Sequence, residues 1–235
     1  MKKLIVVIND LERSGNSTLA RAIAHHLNQN EVKHKLITSD ENDLHDTFEG
    51  EFWDLDEQLD TDNLIQAMET NEALVLDIHT GAARDLAEFC EAEELDNLLT
   101  ELDVDMTLVI PDTGSVRCNE EIVDLTDLFA DSADYVIARM PISGRDMMEW
   151  KGSDAAKSTR YLGSLNIEIA GFSDDLKTAM ESTNVEITTA LNKPESLPRF
   201  AEVQVCQWLE DISESFDEAA EFLIPEAVGE VVLDY

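Results

Sequence analysis

A strand buried on both faces runs directly into a tight turn and a helix near the start of this chain. Residues 4–8 are a continuous run of apolar, mostly β-branched side chains, which is typical of a strand inside a parallel sheet. Residues 9–16 form a turn that contains Gly15, and apolar residues recur at helical spacing over residues 17–27. A strand, a turn and a helix in immediate succession begin a β–α–β unit, so this feature restricts the chain to α/β folds.

The same alternation of strand and helix continues along the chain. It predicts an α/β fold: a doubly wound, mainly parallel sheet with a C-terminal helical segment. Ligands bind such sheets at the carboxyl ends of their strands, which we expect to share one edge. The predicted strands are residues 4–8, 35–38, 73–77, 106–110, 134–138 and 166–170, with Pro111 ending the fourth. The predicted helices are residues 17–27, 60–70, 82–101, 119–129, 174–190 and 200–222.

The 235 residues fit a single α/β domain. Residues 1–142 hold the predicted core sheet and its helices, and residues 143–235 hold the last strand and the C-terminal helices. Residues 143–163 interrupt the alternation and carry several of the few basic residues of the chain. These bases are Arg145, Lys151, Lys157 and Arg160.

The turn after the first strand matches part of the phosphate-binding loop pattern G-x-x-x-x-G-K-[ST]. Gly15 and Ser17 match, whereas Asp10 stands at the first glycine and Asn16 at the lysine. Such a loop holds phosphates with backbone N–H groups and a helix N-terminus, which need no lysine. The alternative is a tight β–α turn with a Ser cap, and Asp10 and Glu12 add negative charge that disfavours phosphate. The candidate nucleotide-binding residues are Arg13, Ser14, Gly15, Asn16, Ser17 and Thr18.

Two acidic residues follow predicted strands and are the candidate catalytic residues. Asp77 ends a buried strand, the position of a carboxylate that holds Mg²⁺ in phosphoryl-transfer sites. With the Ser17 hydroxyl it forms the predicted metal site. Asp40, after the second strand, would orient a water or the metal. An Asx turn that caps the next helix is the alternative for Asp77, and membership of an acidic run is the alternative for Asp40. The predicted cofactors are ATP and Mg²⁺, bound weakly or no longer bound.

The charge of the chain is strongly negative. Sixteen Lys and Arg stand against 52 Asp and Glu, a formal net charge of −36. Residues 40–62 contain eleven acids and no Lys or Arg, and none occurs from residue 85 to 112 or after Arg199. Such a field repels nucleic acid and anionic lipid and attracts basic proteins. We therefore predict a basic protein partner and neither direct nucleic-acid binding nor membrane binding. A surface adapted to salt or to solubility is the simpler reading, and a nucleic-acid mimic is a more specific one.

Cysteine usage and the N-terminus predict a cytoplasmic protein. Cys90, Cys118 and Cys206 are scattered and odd in number, which favours free thiols in a reducing compartment. The apolar run after Lys3 is too short for a signal peptide, and no stretch is long enough to span a membrane.

Several sequence stretches resemble one class of nucleotide-binding proteins. L-E-R-S-G-N-S-T and A-L-V-L-D-I-H-T-G resemble the deviant P-loop ATPases of the ParA/MinD class. D-M-M-E-W-K-G-S-D-A-A-K-S-T-R-Y-L, N-I-E-I-A and R-F-A-E-V-Q-V-C-Q-W-L resemble its plasmid stability and conjugation branch, the StbB type. The resemblance implies slow ATP hydrolysis, a homodimer around two ATPs, and positioning of DNA or protein cargo. Leu11 and Asn16 stand at the two family lysines, so we expect at most a slow ATPase, without the lysine that reaches across the dimer.

Two hypotheses for function result. The first is a ParA/MinD-like protein with a degenerate nucleotide site, which acts as a nucleotide-binding or nucleotide-independent switch or scaffold in plasmid or cargo positioning. The second is an acidic, non-enzymatic interaction protein, which keeps the fold and binds a basic partner protein. Binding of ATP and Mg²⁺ at the Gly15 turn would support the first hypothesis, and a strongly salt-dependent complex with a basic protein would support the second.

Overall fold

The computed structural model describes residues 1–43, 50–55, 57–140, 150–183 and 185–226. The predicted boundary between residues 142 and 143 and the predicted basic residue Arg145 lie outside these ranges. The strands are β1 (Lys2–Val7), β2 (His34–Thr38), β3 (Glu51–Phe52), β4 (Ala73–Asp77), β5 (Val104–Asp112), β6 (Asp134–Arg139) and β7 (Leu165–Glu168).

These strands form one sheet in the order β3-β2-β4-β1-β5-β6-β7. Every neighbouring pair is parallel. The predicted fold class, a doubly wound parallel sheet with C-terminal helices, is confirmed. Strand β1 lies at the centre, between β4 and β5, so its carboxyl end is at the middle of the ligand-binding edge.

Helices cover both faces of the sheet. They are α1 (Asn16–Gln29), α2 (Thr61–Thr70), α3 (Ala83–Ala92), α4 (Leu95–Glu101), α5 (Val116–Phe129), α6 (Asp154–Tyr161), α7 (Asp174–Thr183), α8 (Ile187–Asn192), α9 (Arg199–Asp217) and α10 (Ala220–Leu223). Short 3₁₀ helices occur at Glu41–Asp43 and Pro194–Ser196.

The alternation of side chains along β1 divides the core into two layers, because successive residues of a strand point to opposite faces. Ile5 and Val7 pack in the layer formed with α1, α7, α8 and α9. Leu4, Val6 and Ile8 pack in the layer formed with α2 to α5. All five side chains are buried, which explains the uninterrupted apolar run in the sequence.

Several predicted element boundaries were wrong. The helix predicted over residues 82–101 is broken between α3 and α4, where Glu94 has a left-handed backbone with φ of +47°. The helix predicted over residues 174–190 is likewise divided into α7 and α8, and that over 200–222 into α9 and α10. Helix α6 and the two-residue edge strand β3 were not predicted. Apolar periodicity continues across such breaks, so it does not reveal them.

The prediction that Pro111 ends the fourth predicted strand, which is β5, was wrong. Strand β5 continues to Asp112, and Pro111 pairs in register with Ala138 of β6. Strand β1 accompanies β5 only as far as Val109. Pro111 therefore lies where β5 has a strand on one side only, and a missing N–H is tolerated there.

The carboxyl ends of the central strands meet at one edge, as predicted. The Ile78 N–H donates to the Val7 carbonyl at 3.0 Å, and the Ser39 N–H donates to the Asp77 carbonyl at 2.9 Å. On the other side of β1, Asn9 Nδ2 donates to the Pro111 carbonyl at 2.9 Å. The turn between β1 and α1 thus lies among the ends of β2, β4 and β5.

Candidate functional site

Helix α1 begins at a left-handed glycine. Gly15 is its N-cap residue with φ of +101°, and within the described part of the chain no side chain caps the helix. Arg13, two residues earlier, also has a positive φ of +61°. A φ near +101° is adopted readily by glycine and rarely by other residues, so a Cβ at position 15 would be costly. It would also lie 3.3 Å from Met140 Cε. The N–H groups of the first turn therefore point out of the sheet edge, which favours anions.

Asn16 does not replace the missing lysine as a phosphate ligand in this structure. Its amide nitrogen donates to the Asn9 carbonyl at 3.1 Å and to the Ile78 carbonyl at 2.9 Å. Its amide oxygen accepts from Ser14 Oγ at 2.9 Å. The buried Asn16 side chain therefore ties the turn to the ends of β1 and β4.

Asp10, at the position of the first loop glycine, also has a structural contact. Its Oδ1 accepts from the Gly81 N–H at 2.8 Å and from the Ala83 N–H at 3.3 Å, at the start of α3. It also raises the pKa of Glu121, although burial is the larger cause and Asp124 contributes. The carboxylate that was expected to repel phosphate therefore serves the neighbouring helix.

Asp77 is paired with an arginine that the sequence reasoning missed. Arg21, one turn after Ser17 in α1, places Nη1 3.6 Å from Asp77 Oδ2. The two side chains are 3% and 2% exposed. The same Nη1 donates to the Ser17 carbonyl at 2.9 Å. The guanidinium thus links the two residues that were predicted to hold Mg²⁺.

These residues do not fit Mg²⁺. A divalent cation between Ser17 and Asp77 would lie beside a buried guanidinium, which already compensates the carboxylate and would repel a second cation. The structure also brings together no group of three or more His, Cys, Asp or Glu suited to a metal within the residues it describes. In this structure the Arg21 guanidinium therefore lies beside Asp77, where the predicted metal ion would have to bind.

Asp40 and His79 lie at the same edge. Asp40 Oδ1 accepts from the Asn42 N–H at 2.9 Å and thereby starts the short 3₁₀ helix Glu41–Asp43. His79 Nδ1 lies 2.8 Å from Ser39 Oγ. The catalytic role predicted for Asp40 stays a prediction, and its carboxylate is used here as a local cap.

A cavity of about 340 Å³ lies directly beside the Gly15 turn. Phe172 and Trp208, whose ring centroids are 4.8 Å apart, contribute an aromatic wall, and Met140 a flexible one. Arg13 and Lys177 bring positive charge. The remaining lining residues are Ser14, Gly15, Thr18, Thr113, Ala170 and Gly171. An apolar wall next to cationic side chains and a helix N-terminus suits a ligand with a flat ring and an anionic group.

A second cavity, of about 910 Å³, lies on the other side of the turn. Arg13 and Arg117 line it, together with Asp10, Glu12 and hydroxyl side chains of the neighbouring loops. Opposite charges thus face this space in equal number, which makes it a weaker anion site than the first cavity. Arg13 is shared by both.

Sequence reasoning found part of this site. The structure brings Arg13, Ser14, Gly15 and Thr18 to the first cavity. It directs Asn16 to the strand ends, and it closes Asp77 with Arg21. The spacing of Arg21, four residues after Ser17 and therefore on the same face of α1, was the available signal. Phe172 and Trp208 are far apart in sequence and carried none.

The fold and the turn define a parallel α/β protein whose central β–α turn enters α1 through left-handed Gly15. Among solved structures it is similar to the MinD cell division protein of Aquifex aeolicus, at 15% identity, with 88% of this chain and 96% of that chain covered and a TM-score of 0.48. It is also similar to apo McdA of Cyanthece, at 12% identity, with 92% and 100% covered and a TM-score of 0.43. A third similar structure is the signal recognition particle 54 kDa protein of Aeropyrum pernix K1 in complex with GDP. Its sequence identity is 15%, the match covers 94% of this chain and 51% of that chain, and the TM-score is 0.46.

Likeness at this level carries no functional assignment. No family model matches the chain, and no curated protein matches it. In the part of the chain that the structure describes, no helix is both long and apolar enough to cross a membrane. The proposals below therefore rest on the residues of the chain itself.

Proposed function

We propose that this chain binds a nucleotide weakly at the Gly15 turn and acts as a ParA/MinD-like switch or scaffold that positions plasmid or other cargo through a partner protein. The observation that carries the nucleotide part is the uncapped start of α1 at left-handed Gly15, next to the cavity lined by Phe172 and Trp208. Phosphates would contact the N–H groups of the first helical turn, and the base would contact the aromatic wall. The positioning role is supported only by the sequence resemblance.

The site supports binding better than hydrolysis. No lysine of the loop is present to neutralise charge on the transferred phosphoryl group, and Asp77 is engaged by Arg21. ATP hydrolysis is therefore expected to be slow at most. A change of state on binding, or a fixed scaffold, would then provide the function.

Isothermal titration calorimetry with ATP tests the binding. Gly15→Ala should abolish it, because a Cβ strains a backbone with φ of +101° and meets Met140 Cε at 3.3 Å. Gly163→Ala is the matched control, since its φ is +73° and open space surrounds it. If wild-type protein takes up no ATP at millimolar concentration, the nucleotide proposal fails. If both variants bind like wild type, the phosphates lie elsewhere.

A gain-of-function variant sharpens the same test. Asn16→Lys introduces the cation that the loop lacks, and a charge-assisted contact of ~1.5–3 kcal/mol corresponds to a tenfold or larger gain in ATP affinity. The variant loses the amide contacts to the Asn9 and Ile78 carbonyls, so its folding is verified first by circular dichroism. An unchanged affinity in a folded variant would contradict phosphate binding at α1.

The second candidate function, an acidic interaction protein, is favoured by one surface. Helices α3, α4 and α5 lie next to one another and expose carboxylates, with no base between residues 85 and 112. We name this the α3–α5 face; its exposed acids are Asp85, Glu88, Glu91, Glu93, Glu94, Asp96, Glu101, Glu120, Asp124 and Asp127. A basic protein would bind it in a salt-dependent way.

Titration with a lysine- and arginine-rich peptide over a range of salt concentrations tests this surface. A variant with Asp85, Glu88 and Glu91 changed to amides should lose affinity. A matched variant with Glu210, Asp211 and Glu214 of α9 changed to amides carries the same net charge and should retain it. Equal losses in both would indicate that only the overall charge attracts the peptide.

A further inference from the structure

Arg21 and Asp77 form a buried ion pair beside the Gly15 turn. We propose that this site takes its nucleotide without a divalent cation, because Arg21 supplies to Asp77 the positive charge that a metal ion would otherwise bring. The inference rests on the nucleotide binding proposed above, and it concerns the chemical form of the ligand: a metal-free nucleoside phosphate.

The first support is the position of the guanidinium. Nη1 of Arg21 lies 3.6 Å from the carboxylate of Asp77, the predicted acidic metal ligand, and also donates to the backbone carbonyl of Ser17 at 2.9 Å. Arg21 is always protonated in proteins, so this charge is permanent and independent of the ionic composition of the solvent.

The second support is burial. Both side chains are at most 3% exposed, so the pair is poorly screened. Mg²⁺ requires nearly ideal octahedral oxygen coordination and gives up its waters reluctantly. Reaching Asp77 would require either displacement of a buried guanidinium or two cations beside one carboxylate, and both are unfavourable.

The third support is the set of cations on the ligand side. Arg13 and Lys177 line the cavity beside the turn, and Lys177 Nζ also lies 3.5 Å from Asp174 Oδ1. Together with the N-terminus of α1 they offer positive charge to phosphates from the protein alone. The negative charge of the ligand thus has partners in the chain, and Arg21 acts as a positioning residue that fixes Asp77 and the first turn of α1.

Nucleotide affinity measured in excess Mg²⁺ and in excess EDTA provides the first test. We expect wild-type protein to bind ATP in EDTA at least as tightly as in Mg²⁺. Binding that weakens tenfold or more in EDTA, ~1.4 kcal/mol, would overturn the inference. No binding in either condition would defeat the proposed nucleotide function instead, and the second test below remains valid in that case.

Binding of Mn²⁺ to the ligand-free protein, followed by electron paramagnetic resonance, provides the second test. The acidic surface will bind some Mn²⁺, so each protein is compared with its Asp77→Asn counterpart. We expect wild type and Asp77→Asn to bind equally, whereas Arg21→Met should bind one further ion that Arg21→Met/Asp77→Asn does not. An Asp77-dependent ion in wild-type protein would overturn the inference.

Arg21→Lys keeps the experiment informative if Arg21→Met does not fold. Lysine retains the charge, so this variant should show no Asp77-dependent Mn²⁺ and no gain in affinity from Mg²⁺. A role of Arg21 in stability alone would leave metal binding unchanged in every folded variant, which would contradict the proposal.

Discussion

Two carboxylates end the two strands that flank β1, and each faces an arginine. Asp77 of β4 and Arg21 are 2% and 3% exposed, and they face the interior between α1 and the sheet. Asp112 of β5 is 1% exposed, but its partner Arg139, at 3.4 Å, is 18% exposed. We call Asp77–Arg21 the sealed pair, because both side chains are buried, and Asp112–Arg139 the open pair, because its arginine reaches the surface.

The surroundings of the two pairs explain the difference in their roles. Arg139 continues to Glu168 at 3.7 Å and lies over the Trp150 ring at 5.6 Å from its centroid. Asp112 also accepts from the Gly114 N–H at 2.7 Å. Charge at the end of β5 is thus shared with solvent and backbone, whereas charge at the end of β4 is balanced by Arg21 next to the phosphate loop. The same residue types therefore form a partly exposed ion pair on one side of β1 and a buried one on the other.

The largest effect should come from breaking the sealed pair. Arg21→Met removes the buried cation beside Asp77, and we expect a loss of about 3–5 kcal/mol in the free energy of unfolding. Denaturation in urea measures it. Arg21→Met/Asp77→Asn should recover much of the loss, since neither charge remains. A loss under ~1 kcal/mol in the single variant would show that Asp77 finds other compensation.

A smaller effect should follow from breaking the open pair. Arg139→Met should cost about 1–2 kcal/mol, because Asp112 keeps the Gly114 N–H and can be reached by water once the guanidinium is gone. Glu168→Gln, which changes only the exposed end of this contact, should lie within ~0.5 kcal/mol of wild type. If Arg139→Met destabilises as much as Arg21→Met, exposure does not separate the two pairs.

A third carboxylate at this edge, that of Asp10, accepts from backbone N–H groups and should matter less again. Asp10 Oδ1 accepts from the Gly81 and Ala83 N–H groups at the start of α3. Asp10→Ala should cost about 1 kcal/mol, as the loss of a helix cap does. Asp10→Asn keeps an acceptor oxygen and should recover most of it, as measured by thermal denaturation. Full loss in Asp10→Asn would assign the effect to charge.

The smallest effect concerns the buried side chain of His26, at the other end of α1. Burial lowers the pKa of His26; Asp217 opposes the shift and His25 adds to it. Since the folded pKa lies below the unfolded value, this stabilising contribution is complete above pH ~6.5 and is lost as pH falls through the folded pKa. The difference in unfolding free energy between wild type and His26→Gln should therefore shrink on acidification. A difference that grows would mean that protonated His26 is favoured by Asp217.

The sequence was sufficient for the sheet because β1 and β4 are buried on both faces, and such strands leave an unmistakable apolar run. It was sufficient for the turn because Gly15 marks a backbone with φ of +101°, which glycine adopts far more readily than other residues. It was insufficient for the pairing of Asp77, since an arginine on an amphipathic helix ordinarily faces solvent. Only tertiary packing places Arg21 beside β4.

The cavity was beyond sequence reasoning for a related reason. Phe172 follows β7 and Trp208 lies in α9, and both have the apolar spacing of ordinary core residues. Trp208 Nε1 donates to the Ala170 carbonyl at 2.7 Å, which fixes the aromatic wall. A hydrogen bond across 38 residues has no local sequence signal, so this part of the site required coordinates.

The side-chain amide of Asn16 anchors the turn between β1 and α1. It holds the turn to β1 and β4 entirely through neutral groups, namely two carbonyls and the Ser14 hydroxyl. An amide does not titrate, and contacts between neutral dipoles are little affected by ionic strength. In a chain whose net charge is −36, where pH and salt alter most surface interactions, these Asn16 contacts are therefore independent of both.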